Sequence, residues 1–391
     1  MKASAATADF IVIGSGVIGA SIAFHLMKRQ AGRVLVLDKS LAAQGSSSRS
    51  SALVRMHYTL PQEVQLAQRS LEIFTHWEDY VGRPGNFKRL GFVRVVPAHE
   101  SARLVRNVEM QRKLGVNTRL ISAQELKEIE PDWRIDDIEV AAYEPDSGYG
   151  DGSVTANDFL DRAKEMGAEF RPRTRVSAFK IEAGRVRGVV TDEGEIEAPL
   201  VISAAGPWSI PLFRDLAFEL PIEPEYHRVA ILENPPRMRG GGCALIDSIA
   251  SMYLRSEGPR RTLVGSFVGP RDVDPDDFPQ SVSVEELAEI AALGARRIPA
   301  LGECGLVRGV TGVYDMTPDQ RPLLGPVPGV EGLQLAAGFS GMGYKISPAV
   351  GLSLAELLLD GRGQTLDLSI FDPGRFAAGR PIRAADQYSD E

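Results

Sequence analysis

Apolar residues fall in two kinds of pattern along the chain, and together they predict an alternation of strands and helices. Phe10-Ile-Val-Ile13 and Val34-Leu-Val-Leu37 are short unbroken apolar runs, the pattern of strands buried on both faces. The apolar segment between them, beginning at Val17, reads as a helix. From Pro61 to Val81 the apolar residues Val64, Ala67, Leu71, Phe74 and Trp77 recur every three or four positions, which predicts one amphipathic helix with Pro61 in its first turn. Gly82-Arg-Pro-Gly85 then breaks the chain. Phe92–Val96 reads as a strand, His99–Leu114 as a helix, and Ala123–Glu130 as a short helix stopped by Pro131.

After the glycine-rich Tyr149–Ser153, a helix is expected at Ala156–Met166 and a hairpin at Val176–Ile181 and Val186–Thr191. Leu200–Gly206 is a buried strand ending in small residues. Residues 226–267 are strand-rich, with runs at Arg228–Leu232, Met252–Arg255 and Thr262–Phe267. A helix follows near Val284–Arg297, then an apolar run from Leu306 to Tyr314 and a glycine-ended strand, Leu333–Gly338. The last helix is expected over Ser347–Leu359, with Pro348 in its first turn. Beyond Leu359, turn formers and charges alternate, a segment expected to cover the nucleotide domain or to meet a partner.

The strands near 9–14, 200–206 and 333–338 are alike in being apolar, short and glycine-ended. Three such strands from distant parts of the chain suit one parallel sheet around a nucleotide, and the strand-rich segments between them suit a second, substrate-bearing sheet. The two domains therefore interleave. The first strand carries the dinucleotide fingerprint Gly14-Ser-Gly16-Val17-Ile18-Gly19, and the second ends in Asp38-Lys39. Gly14 permits the tight turn, Gly16 lets the backbone approach a pyrophosphate, and Gly19 lets helix and strand pack closely. The helix start then offers free N–H groups to phosphate, and Asp38 can accept from a ribose.

Composition narrows the classes. With 391 residues, 43% apolar and 25% charged, the chain has core enough for two domains. A net charge of -8 with no basic stripe argues against nucleic acid as a partner. Cys243 and Cys304 form no disulfide framework and read as buried small residues, and the five histidines lack metal-ligand spacing. Met1–Ala8 lacks a signal-peptide pattern and no run is apolar enough to span a membrane, so a cytoplasmic protein is expected.

Three segments, Gly14–Gly19, Ala204-Ala-Gly-Pro-Trp-Ser209 and Gly338-Phe-Ser-Gly-Met-Gly-Tyr-Lys345, resemble in this order the D-amino-acid oxidase superfamily of flavoproteins, near sarcosine oxidase, the dimethylglycine oxidases and glycine oxidase. Ser46–Ser51, Tyr143–Gly148 and Thr317–Gly325 extend the resemblance over nearly the whole chain. It implies an α/β (α+β overall) fold: a Rossmann-like FAD-binding domain, residues 1–85, 145–217 and 318–391, interleaved with a mixed β-sheet substrate-binding domain, residues 86–144 and 218–317. It implies FAD, held by Gly14, Gly16, Val17, Ile18, Gly19, Asp38, Lys39, Ser46, Ser47, Ser48, Arg49, Ser50, Val176, Ala205, Gly206, Trp208, Gly338, Ser340, Gly341, Met342, Gly343, Tyr344 and Lys345. Several glycine-ended segments also suit one long, buried cofactor better than a released nicotinamide. The glycines of 338–343 let a helix start face the flavin's pyrimidine edge, where its dipole favours the charge of the reduced ring.

The resemblance places two substrate-binding cations. Arg55, whose fork suits a carboxylate, stands where sarcosine oxidase has a substrate arginine, and Lys345 matches a lysine that grips the same carboxylate. Tyr58 orients the amine or is a core aromatic. Tyr253 lines the pocket, and Arg255 stands where relatives carry a lysine that assists oxygen reduction, or else is an exposed strand end. An arginine there holds charge without readily exchanging a proton, which leaves the acceptor as oxygen or another carrier. Gly312 replaces the cysteine that links flavin in monomeric sarcosine oxidase, and the register does not single out His57 as a substitute, so noncovalent FAD is expected. The implied reaction is hydride transfer from a small carboxylate-bearing amine, N-methyl amino acids first, to flavin N5, followed by imine hydrolysis. Deamination of a primary or cyclic amino acid, oxidation of a 2-hydroxy acid, and a flavin-bearing subunit of a larger amine dehydrogenase are the alternatives; an oligomer is compatible with each.

Overall fold

Buried apolar strands build the centre of the molecule. The computed structural model describes residues 6–238 and 240–389. Its six-stranded sheet runs Glu169–Arg171, Val34–Leu37, Phe10–Ile13, Leu200–Ser203, Leu333–Ala337 and Leu323–Pro326, parallel except for the last pair. The three glycine-ended strands of the sequence are thus direct neighbours at its middle. Phe10 and Val12 face one side, where the helices Val17–Lys28, Gly152–Glu165 and Gly343–Asp360 pack. Ile11 and Ile13 face the other, where Val189 and Phe213 cover them beneath a four-stranded sheet. Close packing needs glycine at two points. A Cβ on Gly19 would lie 1.9 Å from the Gly14 carbonyl oxygen, and one on Gly351 would lie 2.2 Å from Ser21 Oγ, where the first and last helices cross.

The second layer is an eight-stranded sheet in the order Gly305–Met316, Glu223–Glu233, Arg261–Ser266, Met252–Ser256, Ala244–Asp247, Phe92–Val95, Val140–Glu144 and Arg119–Ser122. All its pairings are antiparallel except Ala244–Asp247 with Phe92–Val95. The helix Val284–Arg297 packs against it and opens on a capping box, in which Ser283 and Glu286 each accept from the other's backbone N–H. At its far end buried Arg297 pairs with Asp247 and Asp137, both at 2.7 Å. Three two-residue strands, Leu53–Val54, Gly148–Tyr149 and Lys88–Arg89, tie this sheet to the nucleotide sheet.

Several boundaries differ from the sequence expectation. The last helix begins at Gly343, not Ser347, so Pro348 lies inside it. Proline has no N–H for the carbonyl four residues back. Ser347 Oγ supplies the missing donor, at 2.8 Å from the Tyr344 carbonyl. The helix expected at Ala156 starts at Gly152, because Asp151 caps it by accepting from Ser153 N and Val154 N. The Pro61–Val81 helix divides at His76 into Pro61–Thr75 and Trp77–Val81. Residues 361–389, after the last helix, form a strap across the fold. Arg375, 2% exposed, pairs with Asp319 at 2.8 Å, the Ile382 N–H donates to the same carboxylate, and Tyr388 inserts beside His57. Among the described residues no helix is long and apolar enough to cross a membrane.

Candidate active site

A cavity of about 570 Å³ opens at the carboxyl ends of the central strands, the place where open α/β sheets bind ligands. Gly14 turns the chain there with φ +102°, and Gly14, Gly16, Val17 and Ile18 line the wall. Gly19 lies behind it, at the contact with Gly14. Asp38 at the end of the second strand also lines the cavity; its Oδ2 accepts from Ser15 N at 2.8 Å and Ser15 Oγ at 2.6 Å, which fixes the glycine turn.

The loop after the second strand closes one side. Ser47 Oγ accepts from the Val17 N–H at 3.0 Å, Ser46 Oγ donates to the Val313 carbonyl at 2.7 Å, and Ser50 Oγ accepts from Ala52 N at 3.0 Å. Arg49 also lines the cavity, reaching across to the Thr311 carbonyl at 3.0 Å. Ser48 does not line the wall; it donates to the Gly45 carbonyl at 3.2 Å. Lys39, Val176, Ala205, Gly206 and Trp208 form the opposite end.

The segment 338–345 supplies the floor. Gly341, Gly343 and Tyr344 line the cavity, so a second helix start points into it. Gly338, Ser340 and Met342 stand behind: Gly338 N donates to Asp315 Oδ2 at 2.7 Å, Ser340 N to the Asp315 carbonyl at 3.1 Å, and Met342 is buried as the residue before the helix. Asp315 itself lines the cavity, and burial pushes its carboxyl up to about 6. Asp315, Tyr314, Phe339, Asp276 and Phe278 are wall residues that the sequence did not single out. Asp276 and Phe278 sit in a polar, proline-rich loop with no periodicity, and Asp315 alternates with apolar neighbours like any strand residue.

Arg55, Tyr58 and Lys345 come together beside this cavity without lining it. The Arg55 guanidinium lies 4.3 Å from the centre of the Tyr58 ring and donates to the His57 carbonyl. Lys345 is 8% exposed, and its Nζ donates to the Gly341 carbonyl at 3.2 Å. Burial first, and the Arg55 charge second, hold its ammonium well below the ordinary lysine range, while Glu63 opposes both. Lys345 also stands in the first turn of a helix, the positive end of its dipole. Behind Arg55, Glu144 is fully buried, accepts from Met56 N at 2.9 Å and Ser147 Oγ at 2.6 Å, and is pushed up to about 7 by burial.

Tyr253 is buried with its hydroxyl hydrogen-bonded to that of Tyr314. Arg255 is not an exposed strand end: it is 5% exposed, donates to the Ser51 carbonyl at 2.6 Å and the Ser256 carbonyl at 2.9 Å, pairs with Glu257, and stacks on Tyr149. These partners draw its guanidinium away from the cavity wall. His57 is likewise engaged, with Nε2 2.9 Å from the Tyr388 hydroxyl. Cys243 is buried and Cys304 half-buried. Among the described residues no group of His, Cys, Asp and Glu could hold a metal ion.

The cavity suits a long dinucleotide. Two helix starts, at Val17 and Gly343, aim into one space, and a half-buried acid stands at the end of the second strand. Known proteins agree. The model of the family described as DAO, FAD-dependent oxidoreductase, matches residues 9–357. "FAD-dependent oxidoreductase domain-containing protein 1" of Bos taurus is 28% identical over 95% of this chain and 85% of its own length. Mitochondrial sarcosine dehydrogenase of Mus musculus is 25% identical over 95% of this chain but only 41% of that longer protein. The crystal structure of L-proline dehydrogenase from P. horikoshii is 30% identical, with a TM-score of 0.88 over 97% of this chain and 100% of that one.

Proposed function

We propose, from the premise that this chain belongs to the DAO family of FAD-dependent oxidoreductases, that it oxidises the C–N bond of a small amino acid bearing a secondary or tertiary amine, N-methyl amino acids first. The observation that carries this reading is Lys345: a cation that is buried, near Arg55 and at a helix N-terminus, three unfavourable circumstances that an anionic substrate group relieves together.

In this reading residues 1–85, 145–217 and 318–391 hold FAD, and residues 86–144 and 218–317 enclose the substrate. Gly14, Gly16, Val17 and the loop residues Ser46, Ser47, Arg49 and Ser50 take the pyrophosphate, and Asp38 takes the adenosine ribose. Gly341, Gly343 and Tyr344 take the flavin's pyrimidine side. Bound FAD supplies the acceptor for a hydride equivalent from the carbon beside nitrogen. Arg55 and Lys345 grip the substrate carboxylate, Tyr58 supports the Arg55 fork from beneath, and Tyr253 with Tyr314 bounds the pocket on the sheet side. Fixing the carboxylate orients the reacting C–H, and the enclosed site excludes water until the imine leaves and is hydrolysed. Arg255, spent on Ser51, Ser256 and Glu257, takes no part in the oxidation of the amine. FAD is held without a covalent bond: Gly312 offers no thiol, and the His57 imidazole is engaged by Tyr388.

A cyclic amino acid is the second reading, favoured by the 30% identity to L-proline dehydrogenase across that whole chain. Both readings share a secondary amine beside a carboxylate. Mixing the protein anaerobically with N-methyl, cyclic and primary amino acids and 2-hydroxy acids, and following loss of the flavin band, distinguishes them. Fast bleaching by N-methyl amino acids supports the first reading; bleaching only by primary amino acids or hydroxy acids overturns it. Admitting air then shows whether oxygen reoxidises the flavin.

A further inference from the structure

The eight-stranded sheet sends one long excursion, residues 267–283, between the strand Arg261–Ser266 and the helix Val284–Arg297. It crosses to the nucleotide side and covers the end of the cavity assigned above to adenosine, where Pro275, Asp276, Phe278 and Gln280 form wall. It is fastened at two points. At the first, Asp276 Oδ1 accepts from Trp208 Nε1 at 2.8 Å and pairs with Lys39, while its Oδ2 lies 3.7 Å from Arg175. Lys39 directly follows Asp38, and its ammonium also sits 4.4 Å from the centre of the Trp208 ring. At the second, Gln280 Oε1 accepts from Arg49 Nη2 at 2.8 Å, with the guanidinium 5.3 Å from the Phe278 ring centre.

The first fastener joins one carboxylate to two hydrogen-bond donors, Lys39 and Trp208, and to a third cation, Arg175, from three separate segments of the nucleotide domain. A lone exposed ion pair contributes little. Asp276 differs because its fasteners form a network that includes the indole N–H, and because the Trp208 ring is itself held against Gly45, where a Cβ would come within 3.0 Å of it. Nothing in the reaction uses Asp276. We propose that residues 267–283 are a clasp over the adenosine half of FAD, with Asp276 as its catch, so that cofactor release requires the two domains to part at this point. The flavin end, where the substrate reacts, lies at the other side of the cavity and keeps its geometry when the catch is open.

The test is flavin release from the holoenzyme, read as the rise of free-flavin fluorescence after dilution. Asp276→Ala releases FAD at least about tenfold faster, as loss of its charge-assisted hydrogen bonds from Lys39 and Trp208 requires, and Lys39→Met gives a smaller increase, because Trp208 still holds the carboxylate. The double variant is no faster than Asp276→Ala alone, because both changes act on the same catch. Added salt speeds release from the wild type and has little further effect on Asp276→Ala, since the Lys39–Asp276 pair is partly exposed. Unchanged release in Asp276→Ala, or fully additive effects, overturns the clasp. Should Asp276→Ala not fold, limited trypsin cleavage of wild type at exposed Arg271 decides instead. Faster cutting after FAD removal supports the clasp; equal rates with and without FAD refute it.

Discussion

Replacing Lys345 with methionine should weaken substrate binding and strengthen the fold at once. In the substrate-free protein the ammonium is 8% exposed, faces the Arg55 charge, and occupies a helix first turn that holds no acid. It donates to the Gly341 carbonyl at 3.2 Å, a long contact for a buried charge. The dipole alone disfavours a cation there by roughly 0.3–1 kcal/mol, and burial beside a like charge adds to that. Methionine keeps the length and loses the charge, so the melting temperature of the substrate-free holoenzyme should rise. The sign follows from the proton: the folded-state pKa of Lys345 is depressed, so its contribution to stability is present above the ordinary lysine value and lost as pH falls through the folded value. The stability advantage of Lys345→Met therefore grows as pH falls below ~10.4, is largest below the folded value, and is absent above ~10.4.

Binding changes the other way. A charged hydrogen bond contributes about 1.5–3 kcal/mol, so its loss should weaken a carboxylate substrate by roughly 10- to 150-fold. The assay is anaerobic stopped-flow reduction across a range of N-methylglycine concentrations, beside calorimetric melting. FAD content stays at one per chain. A variant that melts lower and binds substrate as tightly as wild type refutes the argument, because Lys345 would then be a structural cation.

Other predictions are narrower. Glu144→Gln should flatten the pH dependence of stability: the folded value of about 7 lies above the free value of 4.5, so the contribution of Glu144 is present below pH 4.5 and lost as pH rises through 7. Unfolding free energies from urea titrations at pH 5 and pH 8 should differ by up to about 2.5 kcal/mol more in wild type than in the variant; equal differences count against it. Ser347→Ala should cost about 1–3 kcal/mol, since Pro348 cannot supply the donor that the Tyr344 carbonyl loses; an unchanged melting temperature would contradict that. Tyr388→Ala should cost about 3 kcal/mol of stability and raise KM for carboxylate substrates, because His57, which Tyr388 holds, carries the carbonyl that accepts from Arg55. Tyr388→Phe should retain most of the stability, and a Tyr388→Ala enzyme with wild-type KM would disconnect the strap from the site.

What could be read along the chain was whatever had a local cause. Phe10–Ile13 and Val34–Leu37 show as unbroken apolar runs because both faces of a central parallel strand are covered. Ser283 and Glu286 mark the start of Val284–Arg297 by short-range capping. Pro348 is a local signal that misleads: it places the helix start four residues late, and only the Ser347 hydroxyl explains why proline is tolerated there. The two-residue strands at Leu53, Lys88 and Gly148 are too short to carry a period. In the site, the glycine-tipped segments stand out by residue type, whereas the cations Arg55 and Lys345 stand out only through the resemblance of the motifs that carry them. Arg255 stands out equally, yet its partners Ser51, Ser256 and Glu257 are fixed by tertiary packing that no spacing reveals. Asp276 and Gln280 belong to the cavity only because a loop crosses between domains.

The most direct measurement compares two amines that differ by one group. N-methylglycine and dimethylamine share a secondary nitrogen and a methyl group, and only the first has a carboxylate for Arg55 and Lys345. Anaerobic reduction should be saturable and fast with N-methylglycine, at least about tenfold slower with dimethylamine at equal concentration, and slowed selectively for N-methylglycine by Lys345→Met. Equal rates for the two amines, or a flavin that neither reduces while a carboxylate-free compound does, would contradict the carboxylate anchor on which the account rests.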